Sequence, residues 1–176
     1  MRENNGGFTL AELLVSIAVA GILTVAAFSF MVAGSNIYES VGTRLDLRMD
    51  AQLAASQLEG YIIDCNENIY FDGEKLFIIN RENGAYTAYV FERSGGSLTY
   101  AVVPAAKNPD GSYSCEYVAG DFMCGNVAGF SVEIYPSGDG GAAYAELELK
   151  LERSGTEQPI QKTVALRNRV TISVVS

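Results

Sequence analysis

No histidine occurs anywhere in the 176 residues. Its absence removes the commonest general base and metal ligand, and with them Ser-His-Asp, Cys-His and most zinc sites. Cationic side chains are scarce too: 12 Lys and Arg stand against 21 Asp and Glu, a formal net charge of −9. Such a surface is not built to neutralise phosphates, so no direct nucleic-acid binding is expected. It is equally unsuited to charge-driven binding on anionic lipid. Cysteine is limited to Cys65, Cys115 and Cys124, an odd number that rules out a fully paired framework. Their spacing matches no zinc ribbon. Asp, Glu and Tyr scatter without a convergent constellation, and no Gly-rich loop fits a nucleotide. The expectation is a protein with no catalytic site, no metal and no cofactor.

What the chain does have is concentrated at its start. Residues 1–7 are polar or small with one Arg and one Glu, and from Phe8 to Gly34 the sequence is apolar or small except at Glu12. Between Glu12 and Glu39 lie 26 uncharged positions. At about 1.5 Å of rise per residue, a helix of that length covers a bilayer core of about 30 Å with some excess. The stretch is rich in Leu, Val, Ile and Ala and has no proline, so one continuous membrane-spanning helix is expected. A secretory signal would have a shorter apolar core, of about 7–15 residues, followed by a small-residue cleavage site. Ala33-Gly34 could mimic such a site, and a signal peptide cut there is the alternative reading.

The run Gly7-Phe8-Thr9-Leu10-Ala11-Glu12-Leu13-Leu14-Val15-Ser16-Ile17 resembles the prepilin motif of type IV pilins and pseudopilins. The resemblance implies cutting between Gly7 and Phe8 on the cytoplasmic side by a prepilin peptidase, which also acts as N-methyltransferase on the new Phe8 amine. It makes Glu12 the acid five residues into the mature chain. Ala11 departs from the bulkier aliphatic usual at its place, which alters packing but not cleavage. The family's frequent mid-helix proline is missing, a feature more typical of minor components than of major pilins. Independently of the resemblance, a carboxylate inside a span costs a few kcal/mol unless paired, so Glu12 is expected to be functional. The nearest compensating charge is the freed amine of Phe8, and in a filament it would be that of a neighbouring subunit. A Glu snorkelling to the interface is the plainer alternative.

After Ser35 polar residues take over, yet Leu47, Ala51, Ala54, Leu58 and Tyr61 keep a helical spacing. One helix is expected from about Leu10 to Asp64, its first half in lipid and its second against a head. From Tyr70 the period changes to two. Lys75–Asn80, Ala85–Glu92 and Ser97–Val103 read as strands separated by the hairpin signals Asn83-Gly84 and Ser94-Gly95-Gly96. Phe130, Val132 and Ile134 alternate with polar neighbours, and Ala145, Leu147, Leu149 and Leu151 do so most cleanly. A final strand pair is expected at Ile160–Asn168 and Val170–Val175. The fold class is therefore α+β, a long N-terminal helix packed on an antiparallel β-sheet head. The domains are a leader at 1–7, a transmembrane and assembly helix at 8–34, its amphipathic continuation at 35–64, and an extracytoplasmic β-rich head at 65–176. Thr163-Val164-Ala165-Leu166-Arg167-Asn168-Arg169 and the strand order also look like the larger minor pilins and pseudopilins.

Asp110-Gly111 and Asp139-Gly140 lack the alternating acidic spacing that calcium loops need, and are read as turns. Cys115 and Cys124, with eight residues between them, suit a disulfide across a hairpin in a head outside the cytoplasm, with free thiols as the alternative. Together these features point to a structural minor pilin or pseudopilin of a type IV pilus, secretion or competence filament. The partners implied are the prepilin peptidase, other pilin subunits, an assembly platform membrane protein and the lipid bilayer. The location implied is the cytoplasmic membrane, N-terminus inside and head outside, and then a filament. The rival reading is an anchored extracytoplasmic binding protein or enzyme whose helix is only an anchor.

Overall fold

The computed structural model describes residues 9–175 apart from Tyr117 and Asp139. Among these described residues a single helix, α1, runs Leu10–Asp64, the limits that the apolar run and the later helical spacing predict. Nine strands follow: β1 Asn68–Phe71, β2 Lys75–Glu82, β3 Ala85–Ser94, β4 Ser97–Lys107, β5 Tyr113–Cys115, β6 Asp121–Gly125, β7 Val127–Pro136, β8 Ala142–Arg153 and β9 Thr156–Val170. The chain divides at Gly42/Thr43 into two compact units, each described separately below.

In the second unit, β1 to β5 form an antiparallel sheet in sequence order, with β6 also on β4; β7, β8 and β9 form a separate three-stranded sheet. Local chemistry fixes the hairpins. Asn83 and Gly84 both have positive φ (51° and 84°), as the tight turn between β2 and β3 requires, and few residues other than Asn and Gly adopt that pair readily. Ser154-Gly155 makes an equivalent turn between β8 and β9. The helix segment from Thr43 buries Leu47, Ala51, Ala54, Ala55, Leu58 and Ile62 in a core shared with Leu76, Ile78 and Phe91 of one sheet and Val132, Leu147 and Leu149 of the other. Lys162 of β9 holds this segment further by donating to Ser56 Oγ (3.1 Å) and pairing with Glu59.

A second, smaller core lies on the alternate residues of the first sheet: Phe77, Ile79, Val90 and Val103, with Tyr113 and Val175. It explains why β2 is buried continuously from Leu76 to Ile79 instead of alternating. The expected final strand pair is corrected here. Ile160–Asn168 falls within β9, whereas residues 171–175 do not pair with it. They make isolated parallel bridges, Asn68↔Thr171 and Tyr113↔Val175. The cause is Asn68, a fully buried polar side chain. Its Oδ1 accepts from Ser173 N (2.8 Å) and Thr171 Oγ1 (2.9 Å), and its Nδ2 donates to Ser173 O (3.0 Å). A buried amide satisfied in this way outcompetes a strand extension that would leave it unpaired.

Candidate membrane and assembly segment

Within the first unit, Thr9 and Glu12 close the start of α1 on each other. Thr9 N donates to Glu12 Oε2 (3.0 Å), Thr9 Oγ1 donates to the same oxygen (2.8 Å), and Glu12 N donates to Thr9 Oγ1 (3.3 Å). This is a reciprocal capping box, with Thr9 at the cap and Glu12 three residues on. The T-x-x-E spacing was visible in the sequence.

Beyond the cap, the apolar side chains from Leu10 to Val32 are exposed among the described residues. Their polar exceptions are neutralised internally. Ser16 donates to Glu12 O (2.7 Å), Thr24 to Ala20 O (2.8 Å) and Ser29 to Val25 O (2.9 Å). Hydroxyls bonded back one turn expose no free donor to hydrocarbon, which is the condition for crossing it. Among the described residues this is the one helix long and apolar enough to span a membrane. Gly7 and Phe8, where cleavage and methylation are expected, lie outside the described residues.

The cysteine bridge is corrected. All three thiols are free, with Cys65 and Cys124 buried and Cys115 half-buried. Cys115 pairs with Ala105 and Cys124 with Leu98, two positions seven residues apart on β4. That puts the pair roughly 23 Å apart along the strand, against a limit of about 7 Å between Cα atoms for a bridge. The physical reason is topological: β5 and β6 both run antiparallel to β4 along one edge, so the segment between them follows β4 instead of folding back. Burial pushes the Cys65 thiol up to about 12 and the Cys124 thiol up to about 11. In denaturant without reductant, all three thiols are expected to label with maleimide. In the folded protein at neutral pH, Cys65 and Cys124 should be protected and only Cys115 should react slowly. A mass showing two thiols missing in denaturant would restore the bridge.

No group of three or more Cys, Asp and Glu suited to a metal ion occurs among the described residues. Asp110 Oδ1 accepts from Ser112 N (2.9 Å) and Ser112 Oγ (2.6 Å), which makes Asp110-Gly111 a turn; Asp139 lies outside the described residues. Arg167 faces Asp64 at 3.7 Å as an exposed pair. A hollow of ≈ 560 Å³ over the three-stranded sheet is lined by Glu133, Glu146, Glu148 and Lys162. Two of its carboxylates face Tyr135, whose hydroxyl donates to Glu133 (2.7 Å) and reaches Glu146 at 3.3 Å. Tyr113 similarly donates to Glu67 (2.6 Å), which also accepts from Lys107 (2.8 Å). These networks brace strands and offer no paired acid and base.

Residues 2–28 match the family described as the Prokaryotic N-terminal methylation motif, the prepilin-type cleavage and methylation motif. No curated protein and no solved structure matches the chain. The motif points to a structural protein rather than an enzyme, and with the single N-terminal apolar helix it is consistent with membrane anchoring. It implies processing by prepilin peptidase and association with other pilins, and so indicates a type IV pilin-like or pseudopilin precursor.

Proposed function

We propose that this chain is a minor pilin or pseudopilin subunit. Its leader, residues 1–7, is removed between Gly7 and Phe8, the Phe8 amine is methylated, and the helix then enters a filament with the head on the extracytoplasmic side. Glu12 pairs with the Phe8 amine of the neighbouring subunit and sets register as subunits leave the bilayer. One observation carries this reading: the methylation motif covers residues 2–28, and within that stretch the exposed apolar helix holds a single charge, Glu12. A charge inside a span is costly unless it is paired, and the Thr9 cap uses the Glu12 carboxylate as an acceptor without supplying an opposite charge. The missing mid-helix proline and a head with two sheets favour a minor subunit, one that primes or caps a pilus, secretion or competence filament, over a repetitive one.

The test is fractionation of cells that carry the filament machinery. The mature chain is expected in the sheared filament fraction, and deletion of the prepilin peptidase should leave all of it in the membrane as precursor. A chain that stays in the membrane whether or not the peptidase is present would favour the anchor reading.

A further inference from the structure

Where the last turns of α1 meet the first sheet, a hollow of ≈ 380 Å³ is walled by aromatic rings. Gln57 and Tyr61 of α1, Phe91 of β3, Tyr100 of β4, and Phe122 and Met123 of β6 line it. Phe91 is fully buried, and Tyr61 and Tyr100 pack on it with ring centroids 5.2 and 6.3 Å away. Phe122 is left 68% exposed. The backbone builds this arrangement. Neighbouring residues of a regular strand point to opposite faces, so Phe122 and Met123 would not ordinarily share a hollow. They do because β6 is bulged: Leu98 pairs with Cys124 but Thr99 with Phe122, which leaves Met123 as the extra residue. Bulges re-aim side chains in this way beside functional sites. The entry to β6 is equally constrained, since a Cβ on Gly120 would collide with the Tyr100 carbonyl.

The charge pattern selects a cation. Aromatic faces carry the negative side of the ring quadrupole and attract positive groups. No Lys or Arg lines the hollow. Asp121 precedes Phe122 and stands opposite Tyr100 in register. Asp50 lies close enough to Cys124, the residue after Met123, for its charge to add to burial in raising that thiol. Neither aspartate forms an ion pair among the described residues. The hydroxyls of Tyr61 and Tyr100 and the Gln57 amide likewise have no hydrogen-bond partner among the described residues. Burial, with Tyr100 and Tyr89 nearby, raises the Tyr61 phenol above its ordinary value, so it meets a ligand as a neutral hydroxyl.

We propose that this hollow is a binding site for a guanidinium group, presented as the arginine side chain of a partner polypeptide. Rings attract cations of every kind, so the choice rests on what lies between them. A guanidinium is planar and weakly hydrated, stacks on aromatic faces and fans several N–H donors toward its surroundings. The phenol and amide oxygens accept those donors. A lysine ammonium is compact and strongly hydrated, and no carboxylate lines the hollow to replace its water. A quaternary ammonium has no donor and would leave the same oxygens unused. Free arginine would bring its own carboxylate toward Asp121 and leave the Phe122 ring uncovered, whereas a peptide-linked arginine does neither. The site lies within the second unit, and the proposal does not depend on the filament reading.

The experiment follows isotope-labelled methionine methyl groups by NMR in the full chain, held in nonionic detergent micelles, with Met123→Leu to assign the Met123 signal. N-acetyl-arginine methylamide is the probe, titrated at constant ionic strength. It should move the Met123 signal saturably, with the millimolar Kd of a single side chain, and leave the exposed Met49 unmoved. The citrulline analogue, of the same shape but uncharged, should leave Met123 unmoved as well. The lysine analogue, tetramethylammonium and free arginine should each bind more weakly than the probe. Phe122→Leu, at an exposed position, should weaken arginine binding roughly fivefold, the size of one cation–π contact, and Phe122→Tyr should retain it. Gln57→Ala, also exposed, should weaken it too, which keeps the test decisive if Phe122→Leu disturbs β6. The proposal is overturned by an unmoved Met123, or by a response shared equally with Met49 or with the citrulline analogue. Tighter binding of any of the other cations, or parental affinity in Phe122→Leu or in Gln57→Ala, overturns it equally.

Discussion

Coexpressed with a prepilin peptidase, the full chain is expected to lose residues 1–7 and to gain one methyl group on Phe8, both read from intact mass. Replacing Gly7 by Leu should reduce that product to background, because the small residue lies at the scissile bond and a branched side chain would fill the space the peptidase needs. Thr9 and Glu12 should tolerate conservative change without loss of cleavage, since they lie beyond the bond and cap α1 from Leu10 onward. The competing outcome is sharply different. A mature chain starting near Ser35 would mean that a signal peptidase had cut after Ala33-Gly34, which would leave the head without its apolar helix. The two products differ by the whole span, so a single mass decides between them.

The helix was legible because its evidence is local: a proline-free apolar run followed by Leu47, Ala51, Ala54 and Leu58 at helical spacing. Strand β8 was legible for the same reason, its Ala145, Leu147, Leu149 and Leu151 alternating with charges, all four buried as the period of two demands. What could not be read was non-local. Nothing in the stretch between Cys115 and Cys124 says that both flanking strands lie along one edge of β4; the edge decides that, not the spacing. The short strand β1 and residues 171–175 are likewise defined by Asn68, whose partners are more than one hundred residues away. An alternating apolar segment such as Val170–Val175 fits a strand or a bridging tail equally well until the buried amide is placed. In the apolar segment Glu12 is the lone charge. Its bonds to Thr9 give it a second, purely local occupation, and this changes how its role must be tested.

Removing the Glu12 carboxylate should leave membrane insertion intact or improved, because a charge in the span costs a few kcal/mol. It should also leave cleavage largely unaffected, and incorporation into filaments should fall sharply. Glu12→Val alone is ambiguous, since it removes the capping box as well as the charge, and a lost cap costs about 1 kcal/mol at a helix start. Glu12→Gln separates the two. A glutamine at this position can still accept from Thr9 N and Oγ1, as capping boxes allow, but it has no charge to set against the Phe8 amine of a neighbour. If pairing is the function, Glu12→Gln should fail in the sheared filament fraction as badly as Glu12→Val. Glu12→Asp, which keeps the charge with one methylene less reach, should be intermediate. If Glu12→Gln assembles like the parent while Glu12→Val does not, the carboxylate serves the helix cap and the pairing model is wrong. If both assemble normally, Glu12 is a tolerated charge near the membrane interface, and register must be set elsewhere on the helix.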